Sequence, residues 1–375
     1  MRLKKIISSG NALICAFSLI VGMVHSFIKF LNKKKVNRDT IVVLCFHKLG
    51  DSVFTLPALR ALRNNTKEDF YIFCFEETKA IYELYFSSRY IIGVNHKHIR
   101  FHNRICGKKI REKLAKINPL KIFDFTGTIT SASLLLTSSA KEIIGLHEPY
   151  YRSLYTLPVA IREKPHILDI YLDVIRGTFP GKDYEHYKEF PSAINKEGYI
   201  LIHPYAGWEA KEWGMAGFIE IAKLLSKYYK VAFVAQPGLM KQEDIAELNK
   251  NRIDVFEPGT INELIDIIKR SSLIFSNDSG PAYIANVLGR PTFTIFGPTN
   301  PDFHIPYGDR HRFIRKQVEC SPLIEKYCFT DAGRNGCKSF ECMKQLSIDE
   351  VCSHLIGFIN ELCLNKINSA AQVDS

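Results

Sequence analysis

At 375 residues with 46% hydrophobic side chains and a mean hydropathy of −0.06, the chain is long enough for two domains with separate cores and is not largely disordered. Its net charge of +11 and pI near 9.0 point to anionic partners: phosphorylated glycolipid, a membrane surface or nucleic acid. The basic residues are dispersed rather than gathered into one run, which ranks nucleic acid last.

Residues 1–38 differ in composition from the rest of the chain. Arg2, Lys4 and Lys5 precede an apolar run from Ala12 to Val24 that resumes at Phe27, and Lys33, Lys34, Lys35 and Arg38 close it. No clear small-residue cleavage site marks a signal peptide. The pattern predicts a membrane-associating segment, lying in or crossing a bilayer with anionic headgroups, with a buried helix of the fold as the other reading.

From Ile41 strands and helices alternate. Strands are expected at 41–46, 70–75, 90–94, 121–125 and 142–145, with helices near 77–86, 107–117, 129–138 and 165–176. After 41–46 comes a helical run to Arg63, in which Pro57 either follows an N-cap at Leu56 or kinks a helix begun near Asp51. Residues 177–198, rich in Gly, Pro, Lys and Glu, read as a linker. The second half repeats the alternation, with strands at 199–203, 231–235, 252–256, 273–276 and 292–296 and helices near 216–228, 241–249, 261–270 and 281–288. Two consecutive βα sets predict two doubly wound domains, 39–176 and 199–360, with a tail at 361–375. A cleft between them would lie at the carboxyl ends of the strands, where three polar motifs fall.

The first motif is Gly50-Asp51, after the first strand. An acid there could accept a proton from a substrate hydroxyl, or could merely cap the following helix. The second is His203 to Trp213, where a Gly-containing loop and Lys211 form a plausible diphosphate clamp; lone lysines near loops are common and make it weak by itself. The third is Asn277-Asp278-Ser279-Gly280-Pro281. Ser279 suits an N-cap, Pro281 a first helical turn and Gly280 close approach of backbone to a ligand. Helix-start amides favour a phosphate, and Asp278 suits sugar hydroxyls. The plain alternative is a capped βα turn.

Ten cysteines are present. Cys45 and Cys74 fall inside expected buried strands. Cys320, Cys328, Cys337 and Cys342 are spaced C-x7-C-x8-C-x4-C, without the C-x2-C knuckles of structural zinc, and predict no metal site. Many free thiols in a chain of this size point to a cytosolic setting.

Three ordered stretches, IVVLCFHKLGDSVFTLPALRALR at 41–63, ILIHPYAGWEAKEWGMAGFIEIAKLL at 200–225 and SNDSGPAYIANVLGRPTFTIFGPTNP at 276–301, resemble glycosyltransferase family 9, the ADP-heptose–lipopolysaccharide heptosyltransferases. The likeness runs from about Thr40 to about 360. It implies a GT-B fold, two Rossmann-like doubly wound domains facing each other across a cleft, with inverting chemistry, no cofactor and no required metal. Carried over by position, it makes Asp51 the catalytic base, Lys211 the donor-phosphate lysine, and Asp278, Ser279 and Gly280 the loop near the donor sugar and diphosphate. Family members often hold the nucleoside ribose with an acid in a turn of the second domain. Here Glu243, after Gln236 to Gln242, is the candidate equivalent. His47-Lys48 replace small residues common in the first motif. Gly50, Lys48 and Arg60 are candidate acceptor-side residues.

The resulting expectation is transfer of a sugar from a nucleotide-sugar donor, ADP-heptose, to an anionic lipid-linked glycan such as lipopolysaccharide core. It would occur at the inner face of the cytoplasmic membrane, with residues 1–35 as the membrane contact. Alternatives are another donor or acceptor on the same fold, and a non-catalytic membrane-tethered scaffold. A dinucleotide-dependent oxidoreductase is disfavoured, since no G-x-G-x-x-G follows strand 41–46.

Overall fold

A computed structural model describes residues 2–31, 37–100, 105–146, 149–160, 162, 166–192, 194–328, 337 and 339–364; for 2–13, 37–39, 100 and 149 it describes backbone alone. The basic residues flanking the N-terminal apolar run (Arg2, Lys4, Lys5, Lys33, Lys34, Lys35 and Arg38) therefore have side chains outside the described set. The chain divides into two units, Met1–Tyr187 and Lys188–Ser375.

The first unit opens with a long helix, α1 (Arg2–Leu31), and then alternates. β1 (Asn37–Cys45), α2 (Leu49–Asn65), β2 (Asp69–Phe75), α3 (Lys79–Glu83) and β3 (Ile91–Val94) form its first half. A short hairpin of β4 (Ile99–Arg100) and β5 (Ile105–Cys106) precedes α4 (Lys108–Ile117), β6 (Pro119–Asp124), α5 (Ile129–Leu135), β7 (Glu142–Leu146), β8 (Leu157–Val159) and α6 (Ile167–Thr178). The sheet order is β3-β2-β1-β6-β7-β8, every pair parallel. Ile41 to Cys45 are all buried, the unbroken apolar run of a strand covered on both faces.

The second unit repeats the plan with β9 (Tyr199–His203), α7 (Met215–Leu225), β10 (Val231–Val234), α8 (Gln242–Lys250), β11 (Asp254–Phe256) and α9 (Ile261–Lys269). Then come β12 (Ser271–Asn277), α10 (Gly280–Val287), β13 (Thr292–Phe296), α11 (Pro301–His304) and β14 (His311–Arg315), and finally α12 (Glu341–Lys344) and α13 (Ile348–Glu361). Its parallel order is β11-β10-β9-β12-β13-β14. In each sheet the chain leaves its first strand in one direction and later returns to that strand's other side. Each unit thus has one switch point, between β1 and β6 and between β9 and β12, where the loops at the strand ends diverge and leave room for a ligand.

Every strand expected from the sequence is present, and the differences lie in its details. α2 begins at Leu49, its first turn closed by the Ser52 amide on the Lys48 carbonyl at 2.8 Å, and runs straight through Pro57. Pro57 lacks an N–H, so the helix forgoes one bond there without ending. The boundary between the units, after Tyr187, falls inside the expected linker, and the part before it packs on the first unit. Tyr184 is buried and donates to the Phe179 carbonyl at 2.8 Å, and Asn64 of α2 donates to the Tyr187 hydroxyl at 2.9 Å.

Beyond Phe296 the sequence reading places no element, yet β14, α12 and α13 lie there. β14 carries three basic residues on an edge strand, which hides its period. Ser347 caps α13 by accepting from the Glu350 amide at 3.2 Å. Leu362 and Leu364 of the expected tail are buried in the second core; 365–375 lie outside the described residues.

That second core is threaded by aromatic rings. Phe275 on β12 lies 4.8 Å from Phe218 on α7 and 5.9 Å from Phe293 on β13. Phe275 is fully buried. Truncating such a ring removes transfer energy and leaves a cavity, at a cost of about 3–5 kcal/mol. Phe275→Ala should lower unfolding free energy by about that amount, read as a fall in the urea midpoint, while Phe275→Leu retains most of the stability.

Candidate functional site

In the second unit the candidate side chains Lys211, Asp278 and Ser279 gather at the switch point. The loop after β9 turns through a single 3-10 turn, Glu209–Lys211, before Gly214, at φ 108°, starts α7 in a conformation that favours glycine. Side chains three residues apart eclipse in such a turn, and the Lys211 ammonium sits 4.6 Å from the centre of the Trp208 ring. The loop after β12 brings Asp278 to meet it. Lys211 Nζ donates to Asp278 Oδ2 at 2.5 Å, with the lysine side chain 13% and the aspartate 2% exposed. The Tyr283 hydroxyl, one turn into α10, makes a short hydrogen bond to Asp278 Oδ1.

Asn277 binds the two loops together. Its Nδ2 donates to the Pro204 carbonyl at 2.6 Å and its Oδ1 accepts from the Trp213 amide at 3.2 Å. Glu212, whose carboxyl burial raises above its ordinary range, accepts from the Ala206 amide at 2.9 Å. Tyr327 lies against Trp208 at 5.5 Å between ring centres and stacks on His304 at 6.0 Å.

The electrostatics stem from burial. Burial alone would push the Asp278 carboxyl up; Lys211, His304 and the Tyr283 hydroxyl overcome it and hold the carboxyl at about 2. His304, at the end of α11, is driven down to about 3 by burial, with Asp278 opposing. The imidazole is therefore neutral beside a charged pair.

The start of α10 departs from expectation in one respect. Ser279 occupies the N-cap position with extended backbone, but its side chain makes no capping hydrogen bond. The buried Oγ has no protein partner. Pro281 lies in the first turn of the helix as the sequence pattern requires, and Gly280 opens it. Pro281 has no N–H and the Ala282 amide is taken by the Ser279 carbonyl at 3.2 Å, so the Gly280 amide and the buried, unpartnered Ser279 hydroxyl form the anion-accepting corner next to Lys211 and Asp278.

Glu243 stands apart. It is 76% exposed, in the first turn of α8, 3.5 Å from Lys241. There it complements the helix dipole. The preceding turn is closed instead by Glu257, which accepts from the Gly238 amide at 2.9 Å.

In the first unit, Gly50 and Asp51 fall inside the first turn of α2 rather than in a loop before it, and Asp51 is half-buried. Behind it His47 packs edge-on to Tyr171 at 5.4 Å, and its Nε2 is buried without a hydrogen-bond partner. Burial lowers its imidazole to about 4, against the opposing pull of Asp51. Next door, β6 ends at the buried Asp124, whose Oδ1 accepts from the Thr126 and Gly127 amides at 2.9 and 3.2 Å and whose Oδ2 accepts from the Tyr155 hydroxyl at 2.8 Å. Thr126 in turn ties this loop to β1 by donating to the Leu44 carbonyl at 3.1 Å.

Lys48 is exposed at the N-cap position. Arg60 is not gathered with them: nine residues after Asp51 on a helix, it faces about 180° away. Its guanidinium donates to the Tyr187 carbonyl at 3.3 Å and lies over the Tyr85 ring at 5.3 Å.

Cys320, Cys328, Cys337 and Cys342 line one cavity with Pro298 and Phe340. Among the described residues, no three or more His, Cys, Asp or Glu are placed to hold a metal ion.

The family model of glycosyltransferase family 9 (heptosyltransferase) matches residues 121–332, more than half of the chain. The chain belongs to that family. It is thus a glycosyltransferase. Its relatives include a lipooligosaccharide heptosyltransferase 2 of Campylobacter jejuni, serotype O:6, 23% identical over 325 residues that cover 82% of this chain and 95% of the relative. Among solved structures it resembles E. coli heptosyltransferase WaaC with ADP-2-deoxy-2-fluoro heptose (TM-score 0.62, 16% identity, 85% of this chain and 99% of that one). It also resembles E. coli ADP-heptose lps heptosyltransferase II (TM-score 0.64, 15% identity, 86% and 99%). These likenesses establish the GT-B fold that the strand order of each unit describes.

Tyr283 and His304 escaped the sequence reading; Trp208 and Asn277 fell inside its motifs without being given a role. Trp208, three residues before Lys211 in the same loop, was the more usable signal of the two.

Two measurements test this site. Lys211→Ala leaves a buried carboxylate without its cation and should cost about 3–5 kcal/mol in urea unfolding; adding Asp278→Asn should recover most of the loss. In acid, stability owed to Asp278 is full above its unfolded pKa near 4 and vanishes as pH falls through about 2. The neutral His304 works over a different window, eroding stability as pH falls from 6.5 towards about 3. Asp278→Asn should flatten the lower window, and His304→Gln the upper one.

Proposed function

We propose that this glycosyltransferase moves a heptose from ADP-heptose to a lipopolysaccharide-core acceptor with inversion. The observation that carries the reading is the corner at the β9–β12 switch point: a lysine fixed by a buried carboxylate beside the open first turn of α10. That corner is a ready receptor for a diphosphate. Structural relatives solved with ADP and with an ADP-heptose analogue support the donor class, and the names of curated relatives support the acceptor class.

In this reading Lys211, the Gly280 amide opening α10 and the Ser279 hydroxyl receive the diphosphate. Negative charge grows on the leaving ADP as the glycosidic bond breaks. Groups fixed in advance stabilise that charge more than the ground state, which lowers the barrier. Asp278 acts through Lys211: both carboxylate oxygens are already engaged, so its role is to position the ammonium rather than to grip the sugar. Asp51 takes the proton of the attacking acceptor hydroxyl. Its place in the first turn of α2 complements the helix dipole, and the buried His47 limits water behind it. Glu243 and Arg60 have no part in this scheme. The acceptor is lipid-linked, at the cytoplasmic face of the membrane, with the N-terminal segment associated with that membrane.

Asp51→Asn should reduce heptose transfer from ADP-heptose to a truncated lipopolysaccharide at least about a hundredfold, measured by mass spectrometry, with ADP binding unchanged. Transfer by the folded variant at near the parent rate would remove Asp51 as the base. No transfer from ADP-heptose, with transfer from another nucleotide sugar, would favour a different donor on the same site.

A further inference from the structure

We propose that α1 lies in the plane of an anionic membrane surface, one face fixed to the first unit and the other buried among lipid chains, so that it seats the enzyme without crossing the bilayer. This deepens the membrane association proposed above, and it rests on how the helix divides.

By composition, Ile14–Leu31 is long and apolar enough to cross a membrane. Its two faces, however, are unlike. Ser18, Val21, Gly22, His25 and Lys29 recur at intervals of three and four, forming a single stripe. Along that stripe the helix is bonded to the first unit. Ser153 donates from its amide to Ser18 Oγ at 3.2 Å and makes a short bond from its hydroxyl to the Ser18 carbonyl. His25 Nδ1 donates to the Leu136 carbonyl at 3.0 Å, and Lys29 Nζ donates to the Ala140 carbonyl at 2.6 Å. Val21 packs against the apolar core of the unit. Gly22 permits the approach: a Cβ there would stand 2.8 Å from Ser153 Cβ. From Ser18 to Lys29 the helix is held over about 16 Å.

The opposite stripe faces outward. Phe17, Ile20, Met23, Phe27, Phe30 and Leu31 are each between 48% and 68% exposed. An apolar stripe this long on one helix face marks a binding surface rather than scattered exposure. Charge identifies the occupant. Residues 1–38 hold eight Lys and Arg and no Asp or Glu, the complement of anionic headgroups. A spanning helix would have to strip the imidazole and ammonium of their partners and place them in hydrocarbon. An in-plane helix keeps every one of these bonds.

The test uses inverted membrane vesicles from cells producing the full chain, treated with a membrane-impermeant amine-acylating reagent and read by mass spectrometry. An in-plane α1 leaves Lys4, Lys5 and Lys33 to Lys35 all modified from the same side. Protection of one cluster until detergent is added means that the helix spans, and overturns the inference while leaving membrane association intact. In parallel, Ile20→Glu/Phe27→Glu should reduce recovery of the chain on phosphatidylglycerol-containing vesicles at least tenfold, with ADP binding unchanged. Equal recovery of parent and variant overturns the assignment of the outward face to lipid. A parent chain that floats with no vesicle but self-associates, and whose self-association the variant abolishes, would assign that face to a second copy and sink both membrane readings.

Discussion

The candidate site depends on one buried ion pair. Asp278 is withdrawn from water at the end of β12, and removing a lone carboxylate from water costs far more than a folded protein can absorb. Lys211 and Tyr283 answer that cost from two directions, one from the loop after β9 and one from α10. Replacing such a pair by apolar side chains is often neutral or stabilising, so stability alone does not explain its presence. What the pair supplies is position. A lysine carries four rotatable carbons and is otherwise the least fixed of cations; here its ammonium is held between a carboxylate and the Trp208 ring.

The same topological place is solved differently in the two units. β6 and β12 each lie beside the first strand of their sheet and each leads into a buried acid, Asp124 as the last residue of β6 and Asp278 directly after β12. Asp124 is met by two backbone amides and a tyrosine, all local or one strand away, and its bonds close the loop upon itself. Asp278 is met by a side-chain cation from a different loop. In the first arrangement both carboxylate oxygens are met by neutral donors. The second places an ammonium beside the Gly280 amide and the unpartnered Ser279 hydroxyl, groups that an anion could engage.

The sequence made the scaffold legible because parallel strands covered on both faces are nearly continuous apolar runs, and their lengths and spacing survive without any knowledge of contacts. Ile41 to Cys45 is one such run, buried at every residue. The three polar motifs were legible for the same reason: each interrupts an apolar run at a strand's end. What could not be read was anything decided by a partner far along the chain. Ser279 has the composition of a cap, yet its hydroxyl does not cap. Asp278 looks like a free acid until Lys211, sixty-seven residues earlier, is placed against it. Arg60 comes soon after Asp51 in sequence, but helix geometry turns it to the opposite side. α13 failed for a different reason: its apolar positions, Val351, Cys352, Leu355, Phe358 and Ile359, are spaced for one helical face, but Cys and an internal Gly357 blur the stripe.

In the proposed scheme the clamped lysine has a consequence for how catalytic power is distributed. Its charge is largely answered by Asp278, so its attraction for the proposed diphosphate is weaker than that of a bare ammonium. Tight ground-state binding through Lys211 is thereby limited. As the glycosidic bond breaks, the leaving diphosphate gains charge while Asp278 and the ammonium stay where they are, and the interaction deepens without any rearrangement. A group that binds the ground state modestly and the transition state strongly raises turnover rather than affinity. In the proposed scheme the Gly280 amide at the start of α10 contributes in the same direction, since the helix fixes it and it needs no reorganisation. On this view the carboxylate at position 278 belongs to the site because it weakens the lysine for the substrate and keeps it in place for the reaction.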